Sequence, residues 1–297
     1  MSDWTLCIDF GTAYSKAAVA PTGAWSRFDP ASVRPLMLSA DGQNTFLLDS
    51  AVFVDEDRVL FGRAALNEAD AQADNKRAAL RSFKTLLSVS DLDRALNTNA
   101  PATIDPHRVF QMRDLIVLYL AYLLASIERA ITADPILAQG GTFSRRYAAP
   151  AWRSGDSAGM HDVIVRLFGE AEAFRTAVGK RLLSPDGLSL RAISEALPKA
   201  MERAEALEMG LIFEATAAAA YTSVGLEGSG SHMIVVDMGA GTTDIAALAR
   251  LGPRTIKLPE ARVTLKQAGD FIDRVICLLY TSPSPRDRTR SRMPSSA

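Results

Sequence analysis

Two acidic turns, far apart in the chain, carry the residue types that phosphate chemistry needs. Asp9-Phe10-Gly11-Thr12 follows the apolar run Trp4-Thr5-Leu6-Cys7-Ile8. Asp237-Met238-Gly239-Ala240-Gly241-Thr242-Thr243-Asp244 follows Met233-Ile234-Val235-Val236. A second β-type run comes after each, Ala17 to Ala20 and Ile245 to Leu248, so each segment reads as a hairpin. Glycine in such a turn lets backbone N–H groups approach an anion, and a fixed carboxylate can hold its metal ion or water. Two of them in one chain point to a nucleotide clamped between two similar lobes.

The elements that must position these turns follow from periodicity. Leu6-Cys7-Ile8, Ser15 to Ala20, Phe46-Leu47-Leu48, Ala51 to Val54 and Val59-Leu60-Phe61 read as strands. Ala64 to Leu87 is rich in Ala, Leu, Lys and Arg and reads as one helix ending near Ser88; Met112 to Ala130 reads as a long apolar helix. Tyr147-Ala148-Ala149 reads as a strand entering a turn at Pro150-Ala151-Trp152. His161 to Leu183 and Ile193 to Met209 read as amphipathic helices, and Ile212 to Tyr221 as the start of a buried one. A final helix begins over Ala268 to Ile276. The order, hairpin, strands and helices, then a second hairpin, implies an α/β duplication.

Composition narrows the class. The 297 residues are 48% apolar and 23% charged, ordinary for a globular chain with a real core. A formal net charge of −1 gives no argument for nucleic acid or an anionic membrane. Cys7 and Cys277 cannot make a disulfide framework, which favours a reducing compartment, and no signal peptide is expected ahead of Trp4. The apolar run Leu115 to Ile127 is expected to be too short to span a bilayer. His107, His161 and His232 lack metal-ligand spacing.

Beyond the two turns, four further segments occur in a consistent order: Ser82-Phe83-Lys84-Thr85-Leu86-Leu87, Pro150-Ala151-Trp152, Phe213-Glu214-Ala215-Thr216-Ala217-Ala218-Ala219 and Gly269-Asp270-Phe271-Ile272-Asp273. With them the chain resembles the actin-like ATPase superfamily, and within it the Hsp70 chaperones and their shorter bacterial relatives. Ile8 to Val19 and Ile234 to Ala247 resemble the two phosphate loops. The Ser82 segment resembles the one with the catalytic lysine, and the Phe213 segment resembles the Glu-Pro-Thr-Ala-Ala-Ala connection. The resemblance covers nearly all of residues 6 to 276. It implies an α/β fold of duplicated, ribonuclease H-like lobes, with lobe I over residues 1–210 and an incomplete lobe II over 211–276. It also implies a cytoplasmic protein that binds and hydrolyses ATP with Mg²⁺ in protein folding and the stress response. Its partners would be an unfolded or specific client protein and co-chaperones, with no nucleic acid and no membrane.

Roles carry over by position. The resemblance implies that Asp9 and Asp237 lie near Mg²⁺, through its waters, and that Gly11, Thr12 and Ala13 contact the β- and γ-phosphates. Lys84 would place its charge on the γ-phosphate and the attacking water, and Glu214 and Asp237, both catalytic in this reading, would orient metal-bound waters and help position that nucleophile. Gly239, Ala240, Gly241 and Thr242 would hold phosphate oxygens from the other lobe, with Thr242 also catalytic. Phosphoryl transfer needs mainly positioning and charge neutralisation, which such a set supplies. Lys16 reads as a strand-edge lysine and Asp244 as a brace of the second hairpin. Departures are Ala240 in place of a middle glycine, Ala215 in place of a proline, and additional helical sequence between Trp152 and Glu214. Two other readings share the phosphate loops: an actin-like filament or cell-shape ATPase, and a sugar or small-acid kinase. The Lys84 and Phe271 segments favour the chaperone branch over the filament, and no substrate aspartate for a kinase stands out.

From Cys277 the chain turns rich in Ser, Pro and Arg. Cys277 to Asp287 resembles one reading frame of a transposase-type sequencing-library adapter, and Ser291 to Ala297 a frame of the primer that follows the index. Residues 277–297 are therefore expected to be a non-native, disordered tail, leaving a second lobe that stops near Ile276. Codons that match the adapter base for base are the expected finding.

Overall fold

A computed structural model of the chain describes residues 3–22, 30–40, 44–87, 89, 91–149, 157–214, 217–218, 232–251, 254–265 and 267–281. The fold is mixed α/β. It begins with strands β1 (Trp4–Asp9), β2 (Tyr14–Pro21), β3 (Arg34–Pro35), β4 (Leu48–Asp49), β5 (Val52–Val54) and β6 (Arg58–Phe61). Helices α1 (Gly62–Ala71), α2 (Phe83–Leu86), α3 (Leu92–Leu96) and α4 (Met112–Ala133) follow. Then come β7 (Phe143–Ala149), α5 (Ser157–Val178), β8 (Leu188–Ser189), α6 (Leu190–Arg203) and β9 (Gly210–Phe213). The last described part holds β10 (His232–Met238), β11 (Thr243–Leu251), β12 (Arg254–Leu265) and helix α7 (Gly269–Thr281).

The main sheet has the order β3-β2-β1-β7-β9, with β4 also paired to β2. β1 and β2 form the expected antiparallel hairpin, while β7 runs parallel to β1 and β9 parallel to β7. β9 crosses residue 210, so the first sheet extends to Phe213. The strands β5, β6 and β8 form a small second sheet, and β10, β11 and β12 a third.

α4 is the centre of the main core. Leu115 to Ala121 are all buried, as are Leu123, Leu124 and Ile127. Flanking residues extend the apolar run to a helix of 22 residues, which corrects the expectation that it is too short for a bilayer. By length and composition alone it could cross one, but 72% of its apolar window is buried inside the protein, so the core accounts for its hydropathy.

Three helix expectations were too generous, each for a tertiary reason. The Ala64–Leu87 stretch is not one helix: α1 ends at Ala71 and the separate single turn α2 comes only at Phe83, because Lys76 adopts φ 56° and Leu80 pairs its backbone with Val52 in both directions. A buried bridge to β5 outweighs the helix propensity of that segment. The second amphipathic helix ends at Arg203 instead of Met209. Residues 204–209 pass over α5, where the Leu207 N–H donates to the Val165 carbonyl and a Cβ on Gly169 would lie 1.9 Å from the Glu205 oxygen. The helix expected from Ile212 is preceded by β9, with helical residues from Glu214. The Pro150-Ala151-Trp152 turn and most of the stretch to Tyr221 lie outside the described residues. α7 runs on to Thr281, which corrects the expectation of disorder from Cys277, since residues 277–281 continue the helix; 282–297 lie outside the described residues.

Candidate functional site

The register of the parallel strands gathers the first group of candidates at one edge of the main sheet. Asp9 closes β1 and lies beside Ala148 of β7, whose neighbour Ala149 lies beside Phe213 of β9. Glu214 follows Phe213 directly, half-buried. Asp9 and Glu214 thus leave the carboxyl ends of parallel strands, where open α/β sheets bind their ligands.

The turn after Asp9 is tight. A Cβ on Gly11 would lie 2.1 Å from the Tyr14 carbonyl oxygen. Its φ is not positive, so the need for glycine here is close approach of the backbone to itself. The Ser50 N–H donates to the Ala13 carbonyl over 2.9 Å, fastening the turn to the residue after β4. Thr12 is buried, while Gly11 and Ala13 are half-buried. Lys16 faces Asp9 across the hairpin, with its Nζ 3.6 Å from the carboxylate. Sequence reasoning left Lys16 aside; the signal was its position opposite Asp9 across a short turn.

Aromatic residues tie this turn to α2, whose backbone carries Lys84. Phe10 stacks on Phe83 at 5.9 Å and on Tyr119 at 5.7 Å, and Phe83 stacks on Tyr119 at 4.7 Å. All three are buried. The Tyr119 hydroxyl lies within hydrogen-bond distance of Ser15 Oγ (2.9 Å) and Ser50 Oγ (3.1 Å), which lie 3.0 Å from each other, so the three hydroxyls form one buried cluster. Burial pushes the Tyr119 phenol above its ordinary pKa, so it stays a donor.

Asp49 is a further residue missed by sequence reasoning. It lies opposite Tyr14, is 4% exposed, and pairs with Arg63 at 3.1 Å. Burial pushes its carboxyl pKa up, and Arg63 and then Arg81 pull it partly back. A polar pair, Asp49-Ser50, interrupting the apolar run Phe46 to Val54 was the available signal. A cavity of about 270 Å³ lies beside it, lined by Arg63, Tyr122 and Arg129 among others. Two larger cavities lie away from both turns, about 840 Å³ between α4 and α5 and about 730 Å³ between α5 and α6.

The second group sits on the third sheet. Asp237 faces Asp244 and Met238 faces Thr243 across the β10–β11 hairpin. The Gly239 N–H donates to the Thr242 carbonyl (2.9 Å). The turn is then gripped by the start of α7: Gly269 N–H donates to the Gly239 carbonyl (3.1 Å) and Asp270 N–H to the Ala240 carbonyl (2.9 Å). Ala240 is not among the positive-φ residues described, which explains why alanine serves there. Thr242 is buried at 4% exposure, and Thr243 Oγ1 donates to the Gln267 carbonyl. Asp244 is buried and accepts a hydrogen bond from Thr264 Oγ1, a contact that ties β11 to β12 and does not cross the β10–β11 hairpin. Gly269 to Asp273 forms the first turn of α7.

Asp9, Gly11 to Ala13, the Lys84 backbone and Glu214 therefore belong to one neighbourhood, and Asp237 with Gly239 to Thr242 to another. Among the described residues no strand pairing joins the two sheets. Compared with protein-family models and with curated proteins, the chain matches none of either.

Proposed function

We propose that this chain is an ATP-binding and ATP-hydrolysing unit of the Hsp70-like branch of the actin-like ATPases, with α/β lobes of ribonuclease H-like type. The observation that carries the reading is the convergence of Asp9, the Gly11 turn, α2 and Glu214 at the carboxyl edge of parallel strands. The second Asp-Gly turn, held by the N-terminus of α7, supports a matching phosphate contact from another lobe.

Mg²⁺ takes oxygen ligands and keeps several of its waters. Asp9, 37% exposed at its side chain, and Glu214 at the same sheet edge are hard oxygen donors that fit an ion held through water. When bound, the ion neutralises phosphate charge. The protein's own share is to orient the phosphates with the Gly11 turn, supply a lysine charge from α2, and position water with Glu214. A client protein and co-chaperones belong to this reading as partners.

Calorimetry with ATP and Mg²⁺, joined to a phosphate-release assay without any added acceptor, tests it. ATP binding and acceptor-free phosphate release are expected. Asp9→Asn should lower each by about tenfold or more, through loss of the carboxylate charge that would hold Mg²⁺ and its waters beside the reacting phosphate. A folded chain that binds no ATP refutes the reading. Release that requires a sugar or small acid moves it to the kinases, and ATP-dependent light scattering moves it to the filaments.

A further inference from the structure

The turn and α2 are far apart in sequence, yet the rings of Phe10, Phe83 and Tyr119 lock them into one body. We propose that these three rings are a positioning device for the reaction named above, fixing the backbone of Lys84 relative to the Asp9-to-Thr12 turn; the inference rests on that reading of the site.

The placement of the rings carries it. Phe10 stands between Asp9 and Gly11, so the turn moves with its ring. Phe83 immediately precedes Lys84, so α2 moves with the second ring. Each ring stacks on both others, with interplanar angles of 30°, 27° and 16°. Tyr119 closes the arrangement from α4, because its hydroxyl holds Ser15 and Ser50, and Ser50 holds Ala13. The turn is thereby held from both ends.

α2 needs an external anchor. It is a single helical turn, too short to be stable by its own hydrogen bonds. It is entered through Ser82 at φ 60°, a left-handed conformation that persists in a non-glycine residue only when the surroundings over-determine it. Phe83 at 1% exposure and Leu87 at 3% supply that determination. A lysine on a short, strained, ring-anchored turn has its backbone position set by the anchor. Misplacement of about 1 Å at a reacting group is enough to cost about 100-fold in rate.

Phe83→Leu keeps an apolar side chain and removes the ring. In steady-state ATP hydrolysis it should lower kcat about tenfold or more while KM stays within about twofold. In a Lys84→Ala background the same substitution should change kcat less than about twofold, because its effect passes through the lysine. Equal losses in both backgrounds, or an unchanged kcat in the folded variant, overturn the proposal. Tyr119→Phe supplies a second measurement that does not depend on activity, read by amide hydrogen exchange. Ser50, whose N–H holds the turn, and Leu87, whose N–H donates to the Phe83 carbonyl, should both exchange about tenfold faster beyond any acceleration shared by the amides of α5, which report the common loss of stability. Acceleration of Ser50 alone overturns the coupling. If the wild-type chain hydrolyses no ATP, the proposed function fails, and the exchange result alone decides whether the rings couple turn and helix.

Discussion

Gly11→Ala and Gly239→Ala make the same chemical change at the same place in two similar turns, yet their structural consequences differ. A Cβ at position 11 would lie 2.1 Å from the Tyr14 carbonyl oxygen, a rigid backbone atom. To reach an ordinary contact the turn must open by more than about 1 Å, and overpacking of this kind costs about 1–3 kcal/mol. The opening strains the Ser50-to-Ala13 hydrogen bond and the end of the hairpin register at Asp9 and Lys16. At position 239 the nearest atom, the Thr242 oxygen, is 3.4 Å away and φ is not positive. Alanine fits there, and the lost freedom of the unfolded chain stabilises by about 0.4–1 kcal/mol. Thermal denaturation should place Gly11→Ala about 4–8 °C below the wild type for a cost near 2 kcal/mol, with Gly239→Ala level or slightly above. Equal shifts for the two variants would refute the steric account of the first turn.

Asp49→Asn tests the buried carboxyl beside the first turn. Burial raises its folded-state pKa above the ordinary carboxylate value, so its ionised form destabilises the fold at neutral pH and this loss is relieved as pH falls through the raised value. Urea denaturation at pH 7 and near pH 4 should therefore show wild type gaining on Asp49→Asn at the lower pH, and a change of the opposite sign contradicts the assignment. Tyr119→Phe removes a fully buried hydroxyl from a cluster with two serines that still bond each other, and should cost about 1–2 kcal/mol by the denaturation midpoint. Arg113→Ala leaves Glu170, 3% exposed at its side chain, without the guanidinium that spans α4 and α5; a loss of about 3–5 kcal/mol is expected in the same assay. On β10 and β11, Leu248→Ala should cost about 2–5 kcal/mol while Val236→Thr, on the exposed face, stays within about 0.5 kcal/mol.

What was legible in the sequence was local and periodic. Both hairpins, the β5 and β6 strands and the α4 helix were readable because alternating or long apolar patterns decide them without reference to distant residues. The over-long helices at Ala64 and Ile193 were wrong where a distant backbone intervened, Val52 against Leu80 and α5 against residues 204–209. Propensity cannot register such a contact. The same limit governed the site. Asp9, Gly11 and Glu214 could be named as candidates because motif types single them out. Asp49, Lys16 and the ring cluster were not, since their roles come from cross-strand register and from Phe83 meeting Phe10 across the core. Phe10 and Phe83 each flank a candidate residue, but only the packing gives that adjacency meaning.

The third sheet differs from the first in how its faces are used. Along β10 the exposed positions after His232 are Ile234, Val236 and Met238, and register brings Ile245 and Val263 alongside Val236. With Leu265 they make one face of large apolar side chains that lies open to solvent. The opposite face buries Ala246, Leu248 and Asp244. Strands apolar on both faces are characteristic of a layer covered on both sides, as in parallel or sandwiched sheets. α7 adds Phe271, Ile272, Val275 and Ile276, all exposed. Full burial of a large apolar side chain stabilises by about 1.5–3 kcal/mol, so several of them in water forgo an amount comparable with a whole domain's net stability. The first turn therefore stands on a packed core, with α4 behind it and the ring cluster beneath it. The second is held chiefly by backbone hydrogen bonds from α7, on a sheet whose apolar face is open. Opening should be cheaper at the second turn than at the first, and the two halves of the proposed phosphate site should differ in rigidity before any ligand binds.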